Sequence, residues 1–141
     1  MNDNTESVLT EDELAYLRSQ RLCRLATVSS TGQPDVAPVG FEFDGTHFYI
    51  GGRNPVRTRR FLSVKNGNDK VALVVDDLES VTPWRPRGIR IYGRAEIVEH
   101  VGRFGPGYYM RITPDTSWSW GLEPDTTSEG GFKPRKTVWP K

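Results

Sequence analysis

IRIYGRAEIVE, residues Ile89–Glu99, sets apolar side chains at 89, 91, 95 and 97 against Arg90, Tyr92, Arg94 and Glu96. Alternation with a period of two belongs to a strand with one buried and one solvated face, the usual situation in an antiparallel sheet. Gly93 breaks the alternation and is a candidate bulge or point of close backbone approach. Upstream, KVALVVDD (residues 70–77) is a continuous apolar run and reads as a central strand buried on both sides. Between the two, LESVTPWRPRG reads as a loop, because Pro83 and Pro86 lack an amide donor. Downstream, YYMRITP and TSWSWGLE read as two last strands.

Moving toward the N-terminus, LCRLATV (22–28) is strand-like and is ended by the turn residues SSTGQP. DVAPVGFEF is joined through Asp44-Gly45 to THFYIG, a strong hairpin signal. Thr10 and Glu13 form a capping-box pattern, with Leu14 and Leu17 as an apolar stripe, so a short helix precedes the strands. About six antiparallel strands with two short helices predict a small closed barrel plugged at its ends, since closure removes exposed edges. A sandwich is the alternative. Residues 1–122 form this domain, and 123–141 have the composition of an irregular tail. Trp84, Trp118 and Trp120 lie in or beside the late strands, more indole than one small core hides; some serve a dimer interface or a ring-shaped ligand.

Composition narrows the function. The 141 residues carry a net charge of +1, so the chain as a whole is no binder of nucleic acid, and no run is long and apolar enough to enter a membrane. A cytoplasmic protein is expected. One cysteine, Cys23, excludes an internal disulfide, and His47 and His100 give it no metal-ligand spacing, so no metal is expected.

Against this neutral background, GGRNPVRTRRF (51–61) gathers Arg53, Arg57, Arg59 and Arg60. Asn54 as N-cap and Pro55 at the first position predict a helix toward Gly67. Its first turn would then hold cations at the positive end of the helix dipole, at a cost of about 0.3–1 kcal/mol for each exposed one. Either the arginines are a solvated face or they hold an anion. The second reading makes a phosphate or phosphodiester the best partner, gripped by guanidinium forks, the hydroxyl of Thr58 and the amides of Gly51 and Gly52. Arg85 and Arg87 flank Trp84, which stacks on an aromatic ligand or forms a surface cation–π cap. Tyr108 and Tyr109 are candidate proton donors, although a core tyrosine bonded to a backbone carbonyl is the commoner fate. Cys23 reads as a small buried hydrophobe. No catalytic triad, Walker loop or paired carboxylate stands out, as expected where a cofactor supplies the reactivity.

The order RLCRLATVSSTGQPDVAPVGFEFDGTHFYIGG, RTRRF, VALVVDDLESVTPWRPRGIRIYGRAEIV and RITPDTSWSWGL resembles the split β-barrel superfamily of pyridoxamine 5′-phosphate oxidase-like proteins, in its actinobacterial branch that uses the deazaflavin coenzyme F420. The resemblance implies a homodimer with two cofactor sites at its interface. Pro38, Val39 and Gly40 would lie beside the ring, Ile50, Gly51 and Gly52 would lead to the phosphate, and Arg57, Thr58, Arg59 and Arg60 would grip it. Trp84, Arg85 and Arg87 would edge the site, with Trp118 or Trp120 reaching over from the partner chain. The implied reaction is hydride transfer to an electron-poor C=C or C=N bond of a small molecule, with a tyrosine or water returning the proton. Relatives in this branch reduce biliverdin-like tetrapyrroles and unsaturated polyketides such as tetracycline precursors. The tail GFKPRKTVWPK does not match the arginine-containing substrate motif of true pyridoxamine-phosphate oxidases, which puts the vitamin B6 reaction in doubt. FMN in the same groove is an alternative, and a binding protein that holds a cofactor without turnover is another.

Overall fold

The structure is a computed structural model that describes residues 8–51, 55–122 and 134–141. Helix α1 (Glu11–Ser19) leads into β1 (Leu22–Val28), β2 (Pro34–Gly40), β3 (Glu42–Phe43) and β4 (Phe48–Ile50). A 3₁₀ turn at Pro55–Arg57 precedes α2 (Arg59–Lys65), and β5 (Lys70–Ser80), β6 (Arg85–Gly102), β7 (Gly105–Trp120) and β8 (Arg135–Val138) complete the chain. The strands form one antiparallel sheet in the order β2-β1-β5-β6-β7-β4-β3, with β8 added on β7. Only Phe41 separates β2 from β3, so one bent run of chain supplies both ends of that order and closes the sheet into a barrel.

Alternation fills the interior. Cys23 and Leu25 of β1, Val71, Leu73 and Val75 of β5, Ile89 and Ile91 of β6, Met110 and Ile112 of β7, and Phe48 and Ile50 of β4 all point inward and are buried. Phe61 and Val64 of α2 and Tyr16 and Leu17 of α1 join the same core. Each such aliphatic or aromatic side chain contributes about 1.5–3 kcal/mol relative to exposure. The capping box of α1 is formed as predicted: Glu13 N–H donates to Thr10 Oγ1 (3.1 Å) and Thr10 N–H donates to Glu13 Oε1 (2.9 Å). No described helix is long and apolar enough to cross a membrane.

Several expectations are corrected. The described residues form eight strands, and β5 is buried on one face only, because Ala72 and Val74 look outward from a barrel that has a single interior. The expected loop 78–88 is a tight connection: β5 runs to Ser80 and β6 starts at Arg85, with a cis Thr82–Pro83 bond in the turn between them. The two last strands are one. Pro114 stays in the ladder opposite Gly93, and the register slips by one residue at Tyr92/Gly93, the bulge that the sequence marked. A side chain at Gly93 would meet the Thr113 carbonyl at 2.6 Å, so the close approach requires glycine. The tail, read as irregular, supplies β8 and the buried Trp139, while residues 123–133 lie outside the described residues.

Candidate functional site

The helix after β4 starts later than predicted. Its N-cap is Thr58, and Asn54, Arg53 and Gly52 lie outside the described residues. The Thr58 hydroxyl donates to the Pro55 carbonyl (2.7 Å) and accepts from Phe61 N–H (3.3 Å), so it is already engaged and is no free donor to an anion. With seven residues, α2 carries only a small dipole, and the positive character of this end comes from the side chains. Arg57 and Arg59 are exposed, and Arg60 is half-buried. Among the described residues none of the three makes an ion pair, and Arg60 Nε is buried without a hydrogen-bond partner. Burial depresses the Arg60 pKa, with Asp35 opposing. An unmet buried donor on a cation is costly unless an acceptor arrives, and an anion is the acceptor best suited to it.

The predicted ring-side residues divide between the two faces of the sheet. The side chains of Val39 and Ile50 belong to the core, which leaves only their backbone to face a ligand. Pro38 and Gly40 look outward, where Pro38 sits opposite Arg24 and Gly40 opposite Leu22. Gly51 is pressed on the barrel, since a Cβ there would fall 2.4 Å from the Tyr109 ring. Across the same outer face, Trp118 stands opposite Arg90, and Trp120 lies over Gly88, where an added Cβ would be 2.7 Å from the indole. The outer face of β2-β1-β5-β6-β7 therefore brings Pro38, Gly40, Trp118 and Trp120 onto one surface, with the Arg24–Asp76 ion pair (2.6 Å) between them.

Other candidates have internal partners. Trp84 and Arg85 are exposed at the β5–β6 turn. Arg87 forks onto Asp77, with Nε to Oδ1 at 2.8 Å and Nη2 to Oδ2 at 3.1 Å, and its guanidinium lies over the Tyr16 ring. Tyr16 Oη–H donates to the same Asp77 Oδ1 at 2.9 Å, and burial followed by this bond raises the phenol pKa so that it stays a donor. This triad ties α1 to the barrel and engages Nε and Nη2 of Arg87 within the fold. Tyr109 is buried, donates to the Gly105 carbonyl (2.8 Å) and accepts from Phe104 N–H (3.1 Å), so it is no proton donor to a ligand. Tyr108 is exposed and lines an open hollow with Glu99, His100 and Val101 at the far end of the β6–β7 hairpin. Burial pushes the Cys23 thiol up to about 12, as expected of an inert core cysteine.

The Arg87 fork holds the Asp77 carboxyl below the usual carboxylate range. A depressed folded-state pKa gives stabilisation that is present above the ordinary value of about 3.9 and is lost as pH falls through the depressed one. Asp77→Asn is therefore expected to flatten the acid limb of a urea-unfolding series taken from neutral pH downward. An acid limb identical to the parent's would show that the triad contributes no pH-dependent stability.

Residues 9–117 match the sequence profile described as pyridoxamine 5′-phosphate oxidase. The chain belongs to this family. Its member from Streptomyces rimosus named 5a,11a-dehydrotetracycline/5a,11a-dehydrooxytetracycline reductase is 39% identical over 126 residues, covering 84% of this chain and 87% of that one. Two solved structures share the fold of this family member. A conserved hypothetical protein of Mycobacterium tuberculosis has a TM-score of 0.65 at 20% identity, covering 87% and 91% of the two chains. A protein named F420 reductase has a TM-score of 0.61 at 21% identity, covering 77% and 98% of the two chains. In this family member the sequence reading passed over Arg90 and Tyr92, which form with Trp118 an aromatic and cationic group on the outer face. Their outward phase in β6 was legible, but their neighbour on β7 depends on a register shift that alternation alone does not locate.

Proposed function

We propose that this protein is an F420-dependent reductase that delivers hydride to an electron-poor C=C or C=N bond of an unsaturated polyketide or a similar ring system. Kinship with a reductase at 39% identity makes the protein an oxidoreductase. The choice of cofactor within the flavin type rests on one observation, the unmet Arg60 Nε beside Arg57 and Arg59, none of which makes an ion pair among the described residues. Such a cluster suits a cofactor with a phosphodiester and an acidic tail, which carries more negative charge than FMN. When bound, the reduced deazaflavin supplies the hydride.

The chain's own residues bind and orient. Arg57, Arg59 and Arg60 hold the anionic tail, and the outward Pro38 and Gly40 of β2 lie beside the ring. A ring laid on the outer face of the barrel has one side in water, so a second copy of the chain is the natural cover, as a homodimer with its sites at the interface. Exposed Leu22 and Val36 on that face favour such a cover. Catalysis then comes from holding donor and acceptor in contact in a shielded site, and water rather than Tyr109 returns the proton. The setting is cytoplasmic.

Fluorescence titration with coenzyme F420 and with FMN tests the reading. F420 is expected to bind more tightly, and the reduced coenzyme to be oxidised when a polycyclic enone is added. Tighter binding of FMN would replace the cofactor, and tight F420 binding without turnover on any enone would make the protein a cofactor carrier.

A further inference from the structure

We propose that Arg90, Tyr92 and Trp118 form a platform for a planar polycyclic anion, the enolate or phenolate form of the substrate; the substrate role rests on the reductase reading above. The Arg90 guanidinium lies 4.5 Å from the Trp118 ring centre and 5.6 Å from that of Tyr92, and the two rings meet edge to face at 4.9 Å. A guanidinium stacked on an indole keeps its N–H edge free in its own plane, so it can receive an anionic oxygen while the aromatic rings flank the rest of the molecule.

The charges around the platform favour an anion. Arg24 is neutralised by Asp76, and Arg94 has Asp115 at 4.0 Å. Arg90 makes no ion pair among the described residues, and neither does Lys136, which lies opposite Trp118 on β8. Two uncompensated cations thus flank the indole. An anion seated between Arg90 and Lys136 relieves the repulsion between these two like charges. The platform is also fixed from beneath: the inward Ser119 donates to Glu13 Oε2 (2.5 Å) and Ser117 accepts from Trp139 Nε1 (3.0 Å), which pins the residues on either side of Trp118. A rigid surface loses little entropy when it binds.

The test uses alizarin, buffered above its first ionisation, as a planar anionic probe and its di-O-methyl ether as the neutral control, read by quenching of tryptophan fluorescence. Alizarin is expected to saturate the protein, and Arg90→Gln to weaken it roughly tenfold while leaving the ether unchanged, because one charged hydrogen bond is lost. Trp118→Leu is expected to weaken both. Equal alizarin affinity in the parent and Arg90→Gln overturns the proposal. So does a loss of dimer in Arg90→Gln with probe binding unchanged, which would assign the face to the second copy. If alizarin behaves as expected but F420 does not bind the parent, the platform stands and the reductase reading fails. Near-UV circular dichroism of each variant confirms that the fold is kept.

Discussion

An Arg57→Ala/Arg60→Ala double variant is expected to bind coenzyme F420 roughly a hundredfold or more less tightly than the parent and to be just as stable. Charge-assisted hydrogen bonds to a partly desolvated anion contribute about 1.5–3 kcal/mol each, so the loss of two exceeds the 2.8 kcal/mol or so that corresponds to a hundredfold. Stability does not follow binding here, because neither arginine makes an ion pair among the described residues and Arg60 Nε has no acceptor. Removing a half-buried cation with an unmet donor takes away a penalty along with some packing. Arg60→Lys separates charge from fork geometry: it keeps the charge and loses the planar pair of donors, so an intermediate affinity is expected. Fluorescence titration gives the affinities and urea midpoints give the stabilities. Undiminished F420 affinity in the double variant would return the cluster to an ordinary solvated face and remove the main support for the cofactor assignment.

Which parts of this molecule could be read from the sequence follows from how local their causes are. The alternation in Ile89–Glu99, the bulge at Gly93 and the Thr10/Glu13 capping box are each set by residues close together in the chain, and all three are present in the structure. The start of α2 was misplaced because two cap signals compete within five residues, and Thr58, which bonds both Pro55 and Phe61, takes the cap. The tail was unreadable for a different reason. Thr137 and Val138 suit a strand, but four residues flanked by Pro134 and Pro140 are too short a signal, and β8 exists because β7 offers it an open edge and because Thr137 and Trp139 find buried partners far away in sequence. The site shows the same division. Composition located the cations, but only the pairing of strands reveals that Val39 faces the core, that Arg87 belongs to Asp77, and that Arg90 and Trp118 meet.

Arg135→Ala is expected to lower stability by about 3 kcal/mol, close to 10 °C in Tm for a domain of this size, through a change in a strand of four residues. Glu13 is almost fully buried, with 1% of its surface exposed. Its carboxylate accepts from Thr10 N–H and Ser119 Oγ–H, but the only counter-charge beside it among the described residues is Arg135, with Nη1 at 3.0 and 3.1 Å from its two oxygens. Taking the arginine away leaves a charge in the interior with hydrogen bonds but no cation, and the cost lies at the low end of the usual range because Arg135 is itself partly exposed. Glu13→Gln in the same background should recover much of the loss, since the oxygen of a neutral amide can still accept from Thr10 N–H and its NH2 can donate to Ser119 Oγ, with no charge to compensate. A double-mutant cycle by thermal and urea unfolding separates the pair from its neighbours. Wild-type stability in Arg135→Ala would mean that the tail strand is not held by this charge, whereas a large coupling energy would make it an integral wall of the barrel, adjacent through Ser119 to the strand that presents Trp118.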